Sequence, residues 1–316
     1  MLKKQQILPK MTAIIEFSGI AFVILVLAWL LLWVSFGDSI AYLGYINAAG
    51  LVFAVGVIIS SIFLLFRRYW LWAILGIGLS AFLLLYPSGT NFAAQEQKLR
   101  ASDIRIMSAS LRGLNRDMAG TAEHLAQYEA DIIGLQEVYD INAFKTALEQ
   151  KTGKTWHAVS GGALAVLSVY PITIDSARES QILSTQINMP ERSLSIWTLR
   201  APKAYDRPLT NQQFYYELQR NIVRAKPDAV IGDFNSSPWN EGYGIMDKVM
   251  TNAQKSAGLG AGSSFPGPAR RSGIAGAFAR IDHIFVKQQL AIKNAFTGRA
   301  FYKSDHHPVI ADIRIK

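Results

Sequence analysis

Before Ser88 the chain is almost wholly apolar, in three long runs: Met11 to Phe36, Ile40 to Phe66, and Tyr69 to Tyr86. No run shows a polar face, so none reads as an amphipathic helix half-buried on a water-soluble core. Each is long enough for a helix to cross a hydrocarbon core, which takes about 20 residues. Three transmembrane helices are therefore expected in residues 1–88. Gly44, Gly50, Gly56, Gly76 and Gly78 suit close helix packing, and Trp70, Trp72 and Tyr86 stand near run ends as interfacial anchors do. Lys3, Lys4 and Lys10 precede the first run, and Arg67-Arg68 separates the second from the third. The positive-inside bias then places the N-terminus and the Arg67-Arg68 turn in the cytoplasm. Three crossings carry the rest of the chain to the extracytoplasmic side of an inner or plasma membrane. The first run is too long, and meets Glu16 too early, to be a cleaved signal peptide.

After the third run the composition shifts to Ser, Gly, Thr, Asn, Gln and Lys, which reads as a linker over residues 89–102. One domain of ordinary size follows, residues 103–316. The chain has no cysteine, which excludes a disulfide framework, a thiolate metal site and a cysteine nucleophile. Its net charge is +9; five basic and two acidic residues lie before Ser88, so most of the excess belongs to the domain. A basic domain favours anionic partners: nucleic acid, nucleotides, other phosphoesters, or anionic lipid headgroups.

Within the domain, strands are expected around 103–111, 131–138, 155–159, 163–170, 181–187, 193–199, 229–231, 280–286 and 308–315. Helices are expected around 117–130, 142–151, 210–225 and 239–250, and a Gly/Ser/Pro loop over 258–273. Neighbouring strands with helices interspersed do not form a simple βαβ repeat; they point to packed sheets with helices outside.

Polar residues recur where the strands run out. Glu137 ends Leu135-Gln136-Glu137-Val138, and Asp233 and Asn235 end the buried run from Ala229. Asp282 sits in Ile281-Asp282-His283-Ile284-Phe285-Val286, and Ser304-Asp305-His306-His307-Pro308 precedes the last strand. Asp233 and Asn235, two apart, share a face of an extended chain. Several carboxylates with few histidines suit a hard cation with oxygen ligands, Mg²⁺ or Mn²⁺. A histidine beside carboxylates suits acid–base work or a charge-assisted contact to phosphate. By alternation His283 and His307 point to the opposite face of their strands from the site residues. Arg270-Arg271 in the Gly-rich loop are candidate phosphate contacts.

In content and order these stretches resemble the endonuclease/exonuclease/phosphatase family, the metal-dependent phosphoesterases related to deoxyribonuclease I and exonuclease III. The resemblance covers about 103–316 and rests on Arg105 to Ser110, Leu135 to Val138, Gly232 to Asn235, Ile281 to Val286 and Ser304 to Pro308. It implies an α/β four-layer sandwich, two packed central β-sheets flanked by helices. It also implies Glu137 as a metal ligand with Asp305 close to the metal, and Asp233 as the group that orients or deprotonates the attacking water. Asn235 would contact phosphate or water, and His306 the phosphoryl group, with Asp282 holding its imidazole.

Two positions depart from the family pattern. Ser110 stands where the first motif usually ends in Asn, and Thr198 where many members carry His. Both are candidate phosphate contacts; Thr donates one hydrogen bond but carries no charge. The expected function is thus a membrane-anchored, Mg²⁺- or Mn²⁺-dependent phosphoesterase that uses in-line attack of water. The alternative is a catalytically impaired domain of the same fold that binds a phosphorylated ligand or a protein partner at the membrane.

Overall fold

The computed structural model describes residues 2–86, 90–91, 99–100, 102–176, 181–203, 208–269, 276–299 and 303–315. Most of the expected linker, and both Arg270 and Arg271, lie outside the described residues. The N-terminal part comprises α1 (Leu2–Phe36), α2 (Leu43–Asn47), α3 (Gly50–Phe66) and α4 (Trp70–Leu85). Next come β1 (Asp103–Ser110), α5 (Met118–Ala126), β2 (Ile132–Gln136), α6 (Ile141–Thr152), β3 (His157–Gly161) and β4 (Leu164–Ser168). After these follow β5 (Ile172–Ser176), β6 (Ile182–Asn188), β7 (Ser193–Arg200), α7 (Pro208–Ala225), β8 (Ala229–Asp233) and α8 (Glu241–Asp247). The chain closes with β9 (Thr251–Asn252), α9 (Ala253–Ala257), β10 (Asp282–Val286), β11 (Ala291–Thr297) and β12 (Val309–Arg314).

The strands form two six-stranded sheets, ordered β11-β12-β1-β2-β4-β3 and β5-β6-β7-β8-β10-β9. Strands β1 and β2 pair in parallel, as do β7 and β8. Ile104, Ile106, Ile132, Ile196, Ile231 and Ile284 fill the space between the sheets. Leu125 of α5 and Phe144 of α6 cover the outer face of the first sheet. Tyr215 and Leu218 of α7 and Met246 of α8 cover the second. The result is a helix–sheet–sheet–helix sandwich. Asp117 caps α5 by accepting from Gly120 N at 2.9 Å, and Asp140 caps α6 by accepting from Asn142 N and Ala143 N, both at 3.0 Å.

The strand pleat sorts residues along the gap between the sheets. On β1 the inner face runs Ile104, Ile106, Ser108, Ser110, and on β7 it runs Leu194, Ile196, Thr198, Arg200. On β8, Ile231 is followed by Asp233. The gap is therefore apolar at one end and polar at the other, and the polar end opens as the candidate site.

The expectation of three membrane spans is corrected. Among the described residues, Ile14–Phe36 of α1 is the one helical stretch long and apolar enough to cross a membrane. Helices α3 and α4 have 17 and 16 residues, short of the roughly 20 that a hydrocarbon core takes. The reason lies in the run from Ile40, which is not one helix. Asn47 is drawn inward, accepting from Trp29 Nε1 at 3.0 Å and donating to Asp38 Oδ1 at 2.7 Å. The chain breaks there: Leu43–Asn47 form the separate short helix α2, whose Gly44 O accepts from Asn240 Nδ2 of the sandwich at 2.8 Å. The three long helices still pack together; Ser80 Oγ of α4 donates to Ala54 O of α3 at 2.7 Å.

The helical part is seated firmly on the sandwich. Buried Asp38 accepts from Asn240 Nδ2 at 2.9 Å and from Glu241 N at 2.7 Å, besides Asn47. Trp33 Nε1 donates to Trp239 O at 2.5 Å. Gly50 is required at this seam, because a Cβ there would come within 2.5 Å of the Trp239 ring. Trp239, which from sequence looks like ordinary core, is buried among the N-terminal helices.

Candidate active site

Asp233 and Asp282 occupy the same rung, since β8 and β10 pair antiparallel with these two residues opposite each other. Both are buried. Two carboxylates on one buried rung repel, and His306 relieves the repulsion. Its Nδ1 lies 2.8 Å from Asp282 Oδ2, and ligand atoms of all three residues lie within 4.8 Å of one another. Burial alone would pull the imidazole pKa down, but Asp282, Asp233 and Asp305 outweigh it and push it up to about 9. Burial pushes Asp233 up to about 6, with Asp282 adding to the rise and His306 and Arg200 opposing it. At neutral pH the histidine is thus a cation and Asp233 is largely ionised. With its imidazole between two carboxylates, the trio is suited to handling a proton.

The backbone around these side chains is specialised. Gly232 lies within β8, one residue before its end. A Cβ at that position would sit 2.0 Å from Leu199 O, so only glycine lets β7 and β8 close up beside Asp233. Asn235 takes a positive φ of 46°. Its N–H donates to Asp233 Oδ1 at 3.0 Å, and its Nδ2 donates to Ala201 O at 2.8 Å. Glu137 also takes a positive φ, 59°, immediately after β2. Its Oε2 accepts from Gly113 N at 2.6 Å, and its Oε1 pairs with Arg200 Nη2 at 2.7 Å.

Glu137, Asp233, Asn235, Asp305 and His306 line one cavity of about 560 Å³, within the usual range for a ligand site. Asp282 stands behind His306. Sequence reasoning missed Arg200 and Lys203, which line the same cavity. Arg200 also reaches Asp233 Oδ2 at 3.9 Å. The inner-face rhythm of β7 could have revealed Arg200 as the charged end of an otherwise buried row. Phe265 packs on His306 with ring centroids 5.0 Å apart.

Ser110 and Thr198 are placed differently from expectation. Thr198 is fully buried between the sheets, accepts from Gln136 Nε2 at 3.1 Å, and does not line the cavity. Its expected phosphate contact is therefore corrected: the side chain belongs to the polar filling of the gap. Ser110 is fully buried as well, outside the cavity lining, and its Oγ has no hydrogen-bond partner among the described residues. Its carbonyl accepts from Ser304 Oγ at 2.6 Å, and that same Oγ accepts from His306 N at 3.0 Å. Ser110 thus supports the histidine loop through Ser304. His283 faces away from the site: its Nε2 lies 2.8 Å from Ser236 O. Burial drives its pKa down to about 3, so it stays neutral.

The sequence matches the Endonuclease/Exonuclease/phosphatase family over residues 94–306. The chain belongs to that family. Members of the endonuclease/exonuclease/phosphatase family hydrolyse phosphoester bonds. Among curated proteins, none matches the sequence. Solved structures share the fold. A family protein from Leptotrichia buccalis is 16% identical with TM-score 0.54, covering 67% of this chain and 100% of its own. One from Bacteroides vulgatus is 18% identical with TM-score 0.54, covering 68% and 99%. TDP2 from D. rerio, in complex with a single-strand DNA product, is 15% identical with TM-score 0.54, covering 68% and 100%.

Family members generally use divalent metals, and the donor set here fits one. Glu137, Asp233 and Asp305 offer carboxylate oxygens into one cavity beside the Asn235 amide, the hard ligands that Mg²⁺ and Mn²⁺ select. Buried Asp282 Oδ1 has no hydrogen-bond partner among the described residues.

Proposed function

We propose that the protein is a metal-dependent phosphoesterase held at a membrane by its N-terminal helices. The observation that carries this reading is the rung of Asp233 and Asp282 closed by His306, in a cavity that also holds Glu137 and Asp305. Asp233, with a pKa near 6, suits removal of a proton from water near neutral pH. His306 holds Nδ1 on Asp282, which leaves Nε2 to donate to a phosphoryl oxygen as negative charge grows there. Water oxygen bonds to phosphorus as the ester P–O bond breaks; Asp233 takes the water proton, and the departing oxygen takes one from solvent. Arg200, beside Glu137 and Asp233, adds positive charge on the phosphate side of the cavity. A divalent cation held by Glu137 and Asp305 would neutralise phosphoryl charge and position the ester.

The placement of Thr198 supports an enzyme over an impaired binding domain. Thr198 and Ser110, the two residues that depart from the family pattern, are both buried outside the cavity lining, and the groups that line the cavity do not depend on them for contact with phosphate. For the anchor, the support is α1 and the apolar exteriors of α3 and α4. With α1 as a single crossing, the lysine-rich N-terminus would be cytoplasmic and the sandwich extracytoplasmic.

The test is hydrolysis by the full chain in detergent micelles of p-nitrophenyl phosphate, bis(p-nitrophenyl) phosphate and a single-strand oligonucleotide. Expected is turnover of at least one, dependent on Mg²⁺ or Mn²⁺, abolished by chelation and by Asp233→Asn. Rates equal to those of Asp233→Asn on every substrate would overturn the reading.

A further inference from the structure

The cavity that holds the reactive residues is not made by the sandwich alone. Its other wall comes from the N-terminal part: Tyr42, Tyr45, Ala48, Ala49 and Val52 face the same space as Asp233 and His306. The sandwich brings all of the cavity's carboxylates and basic side chains, Glu137, Arg200, Lys203, Asp233, Asp305 and His306, while the N-terminal wall is aromatic and aliphatic. The apolar wall also continues beyond the cavity. The exposed residues of α3 are Val52, Val55, Ile59, Ile62 and Phe66. All five are apolar, and their spacing of three and four puts them on a single stripe of the helix. That stripe starts at the cavity with Val52 and runs to the far end of α3 at Phe66.

A free nucleotide carries no apolar chain for the Tyr42–Val52 wall of the cavity, and a polynucleotide would bring further phosphates to that uncharged wall. An ester with a hydrocarbon chain matches both ends at once. We infer that the substrate is an amphiphilic phosphoester, whose phosphate sits at the Asp233–His306 end and whose hydrocarbon chain leaves over Ala49 and Val52 along α3. The inference rests on the phosphoesterase reading for its chemistry, and on the shape and polarity of the cavity for its substrate class. In this arrangement the N-terminal helices select the substrate as well as hold the domain. The hydrocarbon chain lies along the stripe, out of water.

The experiment uses the full chain in lipid nanodiscs and has two independent readouts. In the first, turnover is compared within two pairs that share their reacting group: dioleoyl phosphatidic acid with glycerol 3-phosphate, and dioleoyl phosphatidylglycerol with glycerophosphoglycerol. A single-strand oligonucleotide is run alongside. Expected is a kcat/KM at least tenfold higher for the chain-bearing member of one pair, with the ratio falling at least fivefold in Ala49→Trp and in Val52→Asp. In the second, phosphatidic acid with a diazirine on the first carbons of its acyl chain is photolysed in the nanodisc. Labelling is expected within 42–52, competed by dihexanoyl phosphatidic acid and lost in Ala49→Trp. Chain-free esters or the oligonucleotide turned over as well as the lipids, with no competed labelling at 42–52, would overturn the inference while keeping the phosphoesterase. Competed labelling without turnover of any ester would support the amphiphile site and overturn the phosphoesterase.

Discussion

Asp282 Oδ2 accepts from His306 Nδ1 at 2.8 Å while Asp282 itself stands directly across the β8–β10 ladder from Asp233. One histidine thereby answers two carboxylates. Removing either member of the hydrogen bond leaves the other buried without its counter-charge, and that asymmetry underlies the first predictions.

His306→Ala and Asp282→Asn are each expected to lower kcat by roughly 10²–10⁴-fold, the usual range for loss of a positioned acid–base group. In Asp282→Asn the imidazole also loses the charge that holds its pKa up, so the alkaline limb of the rate profile moves to lower pH. A drop in rate with an unmoved alkaline limb would show that Asp282 does not set the histidine's charge.

For the natural chain, log(kcat/KM) is expected to rise through pH 6 as Asp233 loses its proton and to fall through pH 9 as His306 loses its own. Bound cation would push the lower limb further down, because added positive charge favours the carboxylate. The histidine also couples folding to pH. Its folded pKa is raised above the ordinary 6.5, so its contribution to stability is complete below pH 6.5 and fades as pH rises through about 9. Thermal midpoints of the natural chain and His306→Ala should converge across that window, and a constant gap between them would contradict the shift.

Glu137→Gln keeps the Gly113 hydrogen bond within reach but removes the charge that pairs with Arg200. It is expected to raise the Mg²⁺ or Mn²⁺ concentration for half-maximal activity by roughly tenfold or more. Calorimetric titration of the metal is the check, and unchanged affinity would take Glu137 out of the metal site.

Thr198→His restores the residue that many family members carry, yet it is expected to harm the protein. Thr198 is fully buried, and a Cβ on Gly134 would already lie 2.7 Å from its Oγ1. An imidazole overfills that space, at a cost of about 1–3 kcal/mol. A lower thermal midpoint and no gain in rate are expected; a faster enzyme would mean that the side chain reaches the cavity.

Asp38→Ala removes the acceptor shared by Asn47, Asn240 and the Glu241 N–H. Each buried donor left unpaired costs about 1–3 kcal/mol. Hydrogen exchange should accelerate at both 38–49 and 236–241, and exchange unchanged on either side would show that Asp38 does not hold the seam.

The sequence made the site's carboxylates and His306 legible because each ends or follows a buried strand, where polarity has no structural excuse. The two-sheet sandwich was legible for the same reason, through short apolar strands between helices. Arg200 escaped notice because a basic residue at a strand end resembles any solvated terminus; its partners, Glu137 and Asp233, come from other strands. Thr198 was misjudged because motif order gives a position but not the side on which a neighbour such as Gln136 waits. Strand β11 was overlooked since Lys293 and Asn294 interrupt its apolar rhythm, and its register shifts between Ile292 and Asn294. The break before α3 was hidden by Ala48, Ala49 and Gly50, which read as a continuing apolar helix. Asn47 was the one polar residue in that stretch, and it marks where the chain leaves the bundle.

The Asp38 clasp and the Gly50–Trp239 contact make residues 103–316 a poor cassette. Cut free, the sandwich would expose Trp239, leave Asn240 Nδ2 without its acceptors and lose the Tyr42–Val52 side of its cavity. Grafted onto another anchor, it would carry its proton-handling trio along and leave half of its binding surface behind.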